Sequence, residues 1–134
     1  MRIDKIALRL MIGASLAVSG VVHAYLWATG YSGIPTVGPA FLIQASVFCA
    51  LAVLIIAGGP AWLQVLGALG AAGSLVAFAL SRTVGLFGFI ETGWEPSPYT
   101  WISVVVEVAT VVLVGASLVR RPVTSGPLAT GGRR

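Results

Sequence analysis

The 134-residue chain is 57 % hydrophobic and 9 % charged, with a net charge of +4; a soluble domain carries roughly 25 % charged residues. That composition excludes a water-exposed globular protein, and the length leaves room for one domain. The basic excess does not point to nucleic acid: Arg2, Lys5, Arg9, Arg120, Arg121, Arg133 and Arg134 stand at the two ends and only Arg82 lies between them, with no interleaved basic and aromatic patch.

The first apolar span is expected over about 6–27, after a short basic start. Its rival reading is a cleaved signal segment ending at Val22-His23-Ala24. The apolar run continues past that point to Trp27, an interface residue. Residues 28–38 are Gly- and Pro-rich and read as a loop. Pro39 suits the first turn of a second span over 39–57, where a missing N–H costs nothing. Gly58-Gly59-Pro60 is a tight turn, and a third span follows over 61–81.

The stretch after Arg82 is too apolar for an ordinary loop and too short to cross a membrane. It either extends the third helix or lies flat at the interface with Phe87 and Phe89 dipped in. Glu91 to Pro98 makes a turn, in which Ser97 reads as an N-cap before a first-turn proline. The fourth span is expected over 99–119, and residues 120–134 read as a disordered basic tail. The fold class is therefore all-α: a membrane four-helix antiparallel bundle filling residues 1–119. An even number of crossings with Lys/Arg-rich ends places both termini in the cytoplasm, in an inner membrane. The basic ends meet anionic headgroups of the lipid bilayer.

Glu107 is the sharpest chemical feature, an acid with no other charge for many residues on either side. An ionised group there costs a few kcal/mol, so it faces the bundle, carries a proton or has a partner. At 1.5 Å per residue it lies about 9 Å inside its span, His23 about 6 Å below Trp27 and Gln44 about 7.5 Å below Pro39. Three helices thus bring polar side chains to nearly one depth. Ser15, Ser19 and His23 share one face of the first helix. Ser103, Glu107, Thr110 and Ser117 stripe the fourth. Gly67, Gly70, Ser74, Ala77 and Ser81 form a small-residue stripe on the third. Inward-facing, these groups either hydrogen-bond across the bundle or line a small pocket in which His23 and Glu107 share a proton. Arg82 and Glu91 stand at its rim, and Trp94 is placed to touch a ligand or partner.

No cofactor and no metal is expected. The single Cys49 can form no intrachain disulfide, one histidine cannot supply a bis-histidine haem, and no phosphate-binding glycine loop occurs. Ser103, His23 and Glu107 include the types of a catalytic triad, but without a nucleophile elbow an enzyme is the lesser expectation.

The strings His23-Ala-Tyr-Leu-Trp27, Ile34-Pro-Thr-Val-Gly-Pro-Ala-Phe-Leu-Ile-Gln44 and Gly85-Leu-Phe-Gly-Phe-Ile-Glu91 resemble a group of small four-helix membrane proteins of actinobacterial type. The resemblance covers most of residues 20–110 and implies fold and membrane location. The four-helix plan is similar in outline to DoxX-like proteins, some of which accompany quinone-linked redox enzymes. Small multidrug transporters share the size and helix count, but their essential acid lies in the first helix, not the fourth. The first functional expectation is an accessory or interaction subunit, with a membrane protein partner. The alternatives are a binding module for a lipophilic ligand such as a quinone or lipid, held by the His23, Gln44 and Glu107 layer with Ser103 as a further candidate and Trp94 and Phe87 at the mouth, and a small homodimeric, proton-coupled transporter.

Overall fold

The computed structural model describes residues 2–120; the tail expected beyond Arg120 lies outside the described residues. Four helices account for the apolar spans: α1 (Arg2–Leu26), α2 (Val37–Ile56), α3 (Trp62–Ser81) and α4 (Tyr99–Val119). Each is long and apolar enough to cross a membrane, and the chain is a multi-pass membrane protein built as an all-α bundle. α1 packs against α2 and α4, and α3 against α4 and α2, so the helices follow one another around the bundle with α1 and α3 on a diagonal.

Two boundaries differ from expectation. α1 does not stop at Trp27 but continues through a π-helical turn, Trp27–Tyr31, closed by the Ser32 N–H on the Trp27 carbonyl at 3.0 Å. α2 begins at Val37, before Pro39, because the first N–H groups of a helix have no intrahelical acceptor and a proline is tolerated among them. The loop expected over 28–38 shrinks accordingly to 32–36. Ser97 is not an N-cap: Pro98 occupies the cap of α4 without a side-chain cap bond, and the Ser97 N–H is taken by the Glu95 carboxylate at 2.9 Å.

α2 ends in a tight turn. Gly58 adopts φ +94°, the Gly58 N–H reaches the Ile55 carbonyl at 3.1 Å and the Gly59 N–H the Leu54 carbonyl at 2.9 Å. That pair of bonds with a left-handed glycine satisfies the last carbonyls of the helix.

The bundle is layered along its axis. The end that carries the termini has an apolar core of Ile12, Leu16, Phe48, Leu51, Ala52, Ile55, Leu63, Ala71 and Val114. The opposite, distal end has a second apolar cluster of Val22, Leu26, Tyr31 and Val37, backed by Ile34, Phe41, Phe89 and Tyr99. Between them lies a polar layer that includes buried Ser19, His23, Ser103 and Glu107. The outward faces are apolar as well: Val21, Ile43, Leu69 and Val105, one on each helix, are 60–65 % exposed. A helix that is apolar all round is one that meets lipid.

The connection from α3 to α4 does not extend α3, which ends at Ser81. Leu86 and Phe89 exchange backbone hydrogen bonds at 2.8 and 2.9 Å, with Phe87 and Gly88 between them at φ 51° and 81°. This is the two-residue hairpin turn with positive φ at both central positions. It throws Phe87 outward, 74 % exposed, and turns Phe89 inward against Tyr31.

Candidate ligand-binding cavity

Helical spacing of four puts Ser19 and His23 on one face of α1, and Ser103 and Glu107 on one face of α4. The bundle then brings Gln44 from α2 and Ser74 from α3 to the same level. Oε1 of Glu107 accepts four hydrogen bonds: from Ser19 Oγ at 2.8 Å, Ser74 Oγ at 3.0 Å, Ser103 Oγ at 3.0 Å and Gln44 Nε2 at 3.1 Å. Every helix contributes a donor. Gln44 Nε2 also donates to Ser74 Oγ at 2.8 Å, which ties α2 to α3. His23 Nδ1 lies 2.9 Å from the Ser19 carbonyl oxygen. A carbonyl only accepts, so Nδ1 carries a proton; where the ring is neutral, Nε2 is then an acceptor. Glu107 is 2 % exposed and His23 6 %.

Above this layer, toward the distal end, lies a partly open cavity of about 130 Å³. A water needs roughly 10–15 Å³ of such space, so the cavity has room for several waters or a small organic group. Its floor is His23, Gln44, Ser74, Ser103 and Glu107. Its walls are mainly apolar, from Leu26, Val37, Phe41, Ala77, Phe78, Leu86, Phe89 and Val104. One wall is a ladder of rings: His23 against Phe41 at 4.9 Å, Phe41 against Tyr31 at 4.8 Å, and Tyr31 against Phe89 at 6.0 Å between centroids.

The rim is closed by charge. Arg82, at the C-terminal cap of α3, donates from Nη1 to Glu91 Oε2 at 2.6 Å and from Nη2 to the Glu95 carbonyl at 2.7 Å. Its guanidinium also sits over the Phe78 ring at 4.9 Å. The other Glu91 oxygen accepts from the Tyr31 hydroxyl at 2.6 Å. Glu91 thereby ties the end of α1 to the end of α3 across the cavity mouth. The Arg82–Glu91 pair is mostly shielded, with side chains 13 % and 25 % exposed, where charge-assisted bonds are stronger than on an open surface. A shallow groove on the far side of this latch shares Leu26, Tyr31, Phe89, Glu91 and Pro96 with the cavity, so these residues form the partition between the two.

Of the residues singled out from sequence, His23, Gln44, Ser103 and Glu107 come together in the floor, and Arg82 and Glu91 in the rim. Trp94 is elsewhere: it stacks on Trp101 at 3.5 Å and 8°, with Phe78 at 5.5 Å, pinning the connection to α4 rather than lining the cavity. Sequence reasoning counted Ser74 only as a small packing residue and passed over Tyr31 altogether. Ser74 carried a signal, a hydroxyl within the stripe of small residues. Tyr31 carried none, because its inward position depends on the π-helical turn. Among the described residues, His, Cys, Asp and Glu nowhere gather in threes that could hold a metal ion.

No protein-family model, no curated protein and no solved structure matches this chain.

Proposed function

We propose that this membrane protein is a binding module for a lipophilic small molecule, held in the distal cavity by the polar floor around Glu107. One observation carries the reading: an apolar-walled cavity ends on polar groups that converge from all four helices. Binding sites commonly combine a mainly apolar lining with a few placed polar groups. Packing alone supplies no reason to keep a carboxyl in a membrane span, where a charged side chain costs at least a few kcal/mol. The accessory-subunit and transporter readings rest on the apolar outer face and on the lone span acid; neither calls for an aromatic-walled cavity above that acid. The charge pattern favours an inner-membrane orientation with termini in the cytoplasm and the cavity in the outer leaflet.

The test is purification in mild detergent followed by mass spectrometry of co-purified small molecules, with Ala77→Phe to fill the cavity and Glu107→Gln to alter its floor. A stoichiometric lipophile in the wild type, lost in both variants while each remains folded, is the expected result. Equal small-molecule content in all three proteins sinks the reading.

A further inference from the structure

Resting on the binding reading above, we infer that the ligand's polar end is a cation with several N–H donors, a protonated primary amine on a lipophilic body. The argument is an inventory of the floor. Each serine hydroxyl has one hydrogen to give, and those of Ser19, Ser74 and Ser103 are all spent on Glu107 Oε1. Gln44 Nε2 donates to Ser74 Oγ and Glu107 Oε1, and the His23 Nδ1–H is taken by the Ser19 carbonyl. What remains is three acceptors without a donor among the described residues: Glu107 Oε2, Gln44 Oε1 and His23 Nε2. All three belong to residues that line the cavity. A floor of acceptors takes a donor, and an ammonium offers three N–H groups and accepts none.

Charge points the same way. Among the described residues four donors converge on Glu107 Oε1 and none on Oε2, so an ammonium reaching Oε2 can take the carboxyl as its counter-ion. Buried charges are paired. Among the described residues the only lysine or arginine near the cavity, Arg82, has its Nη1 engaged with Glu91, while its Nε–H is buried without a partner. An ammonium at Oε2 completes the pair. The segment 82–107 holds three acids and one base, a net charge of −2, within a chain whose total is +4, so the cavity end of the molecule draws cations. The ring ladder of Phe41, Tyr31 and Phe89 gives such a head a cation–π wall and its apolar body a surface to lie on. A quinone head, which only accepts, meets no free serine hydrogen on this floor; the unpartnered donor among the lining residues is the Arg82 Nε–H at the rim.

The test uses the full-length protein in phosphatidylcholine nanodiscs at neutral pH, with empty nanodiscs as the blank. Native mass spectrometry follows titration with four probes: 2-phenylethylamine, its N-acetyl derivative, 2-phenylethanol and a short-chain benzoquinone. Saturable binding of the amine at least about tenfold tighter than any neutral probe, abolished by Glu107→Gln, is the expected result. Tighter or equal binding of the alcohol, the amide or the quinone overturns the cation assignment and leaves the cavity a lipophile site. Binding of no probe at all overturns both. Should Glu107→Gln fail to fold, the ranking of the four probes on the wild type decides alone.

Discussion

At the scale of single residues, Glu107 organises the molecule by accepting from Ser19, Gln44, Ser74 and Ser103 on one oxygen. Hydrogen bonds to a charged group are worth about 1.5–3 kcal/mol in general, but interhelical bonds in bilayers average about 0.6 kcal/mol. The smaller figure governs a single deletion, because three donors remain on Oε1. Ser74→Ala and Ser103→Ala are each expected to cost less than about 1 kcal/mol. The double variant is expected to cost more than their sum, since members of one network couple. Thermal unfolding in a common detergent, followed by circular dichroism, measures all three; strict additivity would count against a single acceptor shared by all the donors. The layer itself was legible in the sequence. A constant rise per residue turns counts along three helices into depths, and His23, Gln44 and Glu107 came out level. Sequence could not give the convergence on a single oxygen, because that depends on how each helix is rotated about its axis.

At the scale of elements, the tightest seam is α1 on α2, and it was not read from the sequence. A Cβ on Gly20 would stand 2.7 Å from Cys49 Sγ and 3.2 Å from the Ala45 carbonyl oxygen, and one on Gly13 would stand 2.5 Å from Ile56. On α3 the glycines Gly67, Gly70 and Gly73 recur every three residues and divide instead. Gly67 and Gly70 each face a neighbour's side chain at 2.8 Å, whereas a Cβ on Gly73 meets nothing within 4 Å. A three-residue period drifts around a helix of 3.6 residues per turn, so one of three such glycines falls off the seam. Gly20→Val therefore forces backbone apart and is expected to cost about 1–3 kcal/mol, the range of overpacking. Gly73→Ala is expected to be neutral or to gain up to about 1 kcal/mol from helix propensity. Unfolding midpoints of the two variants beside wild type check the contrast, and a destabilised Gly73→Ala would place a contact on that face. The other unread element is the 82–98 connection. Its apolar run suited a helix extension or an interfacial segment equally, and only the pairing of Leu86 with Phe89 folds it over the cavity.

At the scale of the whole molecule, the layers follow one another from an apolar core near the termini, through the polar layer and cavity, to the Arg82–Glu91–Tyr31 latch. The aromatic residues follow the same axis. Trp27, Trp94 and Trp101 gather at the distal end, and Trp62 stands 61 % exposed at the other, which are the depths at which tryptophan meets a membrane interface. Charge breaks the symmetry between the ends, because the basic residues concentrate at the termini and the acids at the distal end. The positive-inside bias then predicts that the cavity opens away from the cytoplasm, so a ligand reaches it from outside the cell or from the outer leaflet. Cys49 is the single cysteine of the chain, and Cys49→Ser gives a background for site-directed labelling. In that background Thr92→Cys, exposed beside Glu91, is expected to react with a membrane-impermeant maleimide in intact cells. Ala57→Cys, exposed at the end of α2, is expected to react only after permeabilisation. The reverse pattern would put the cavity on the cytoplasmic side and make its ligand a cytoplasmic one, with the acceptor floor and the bundle unchanged.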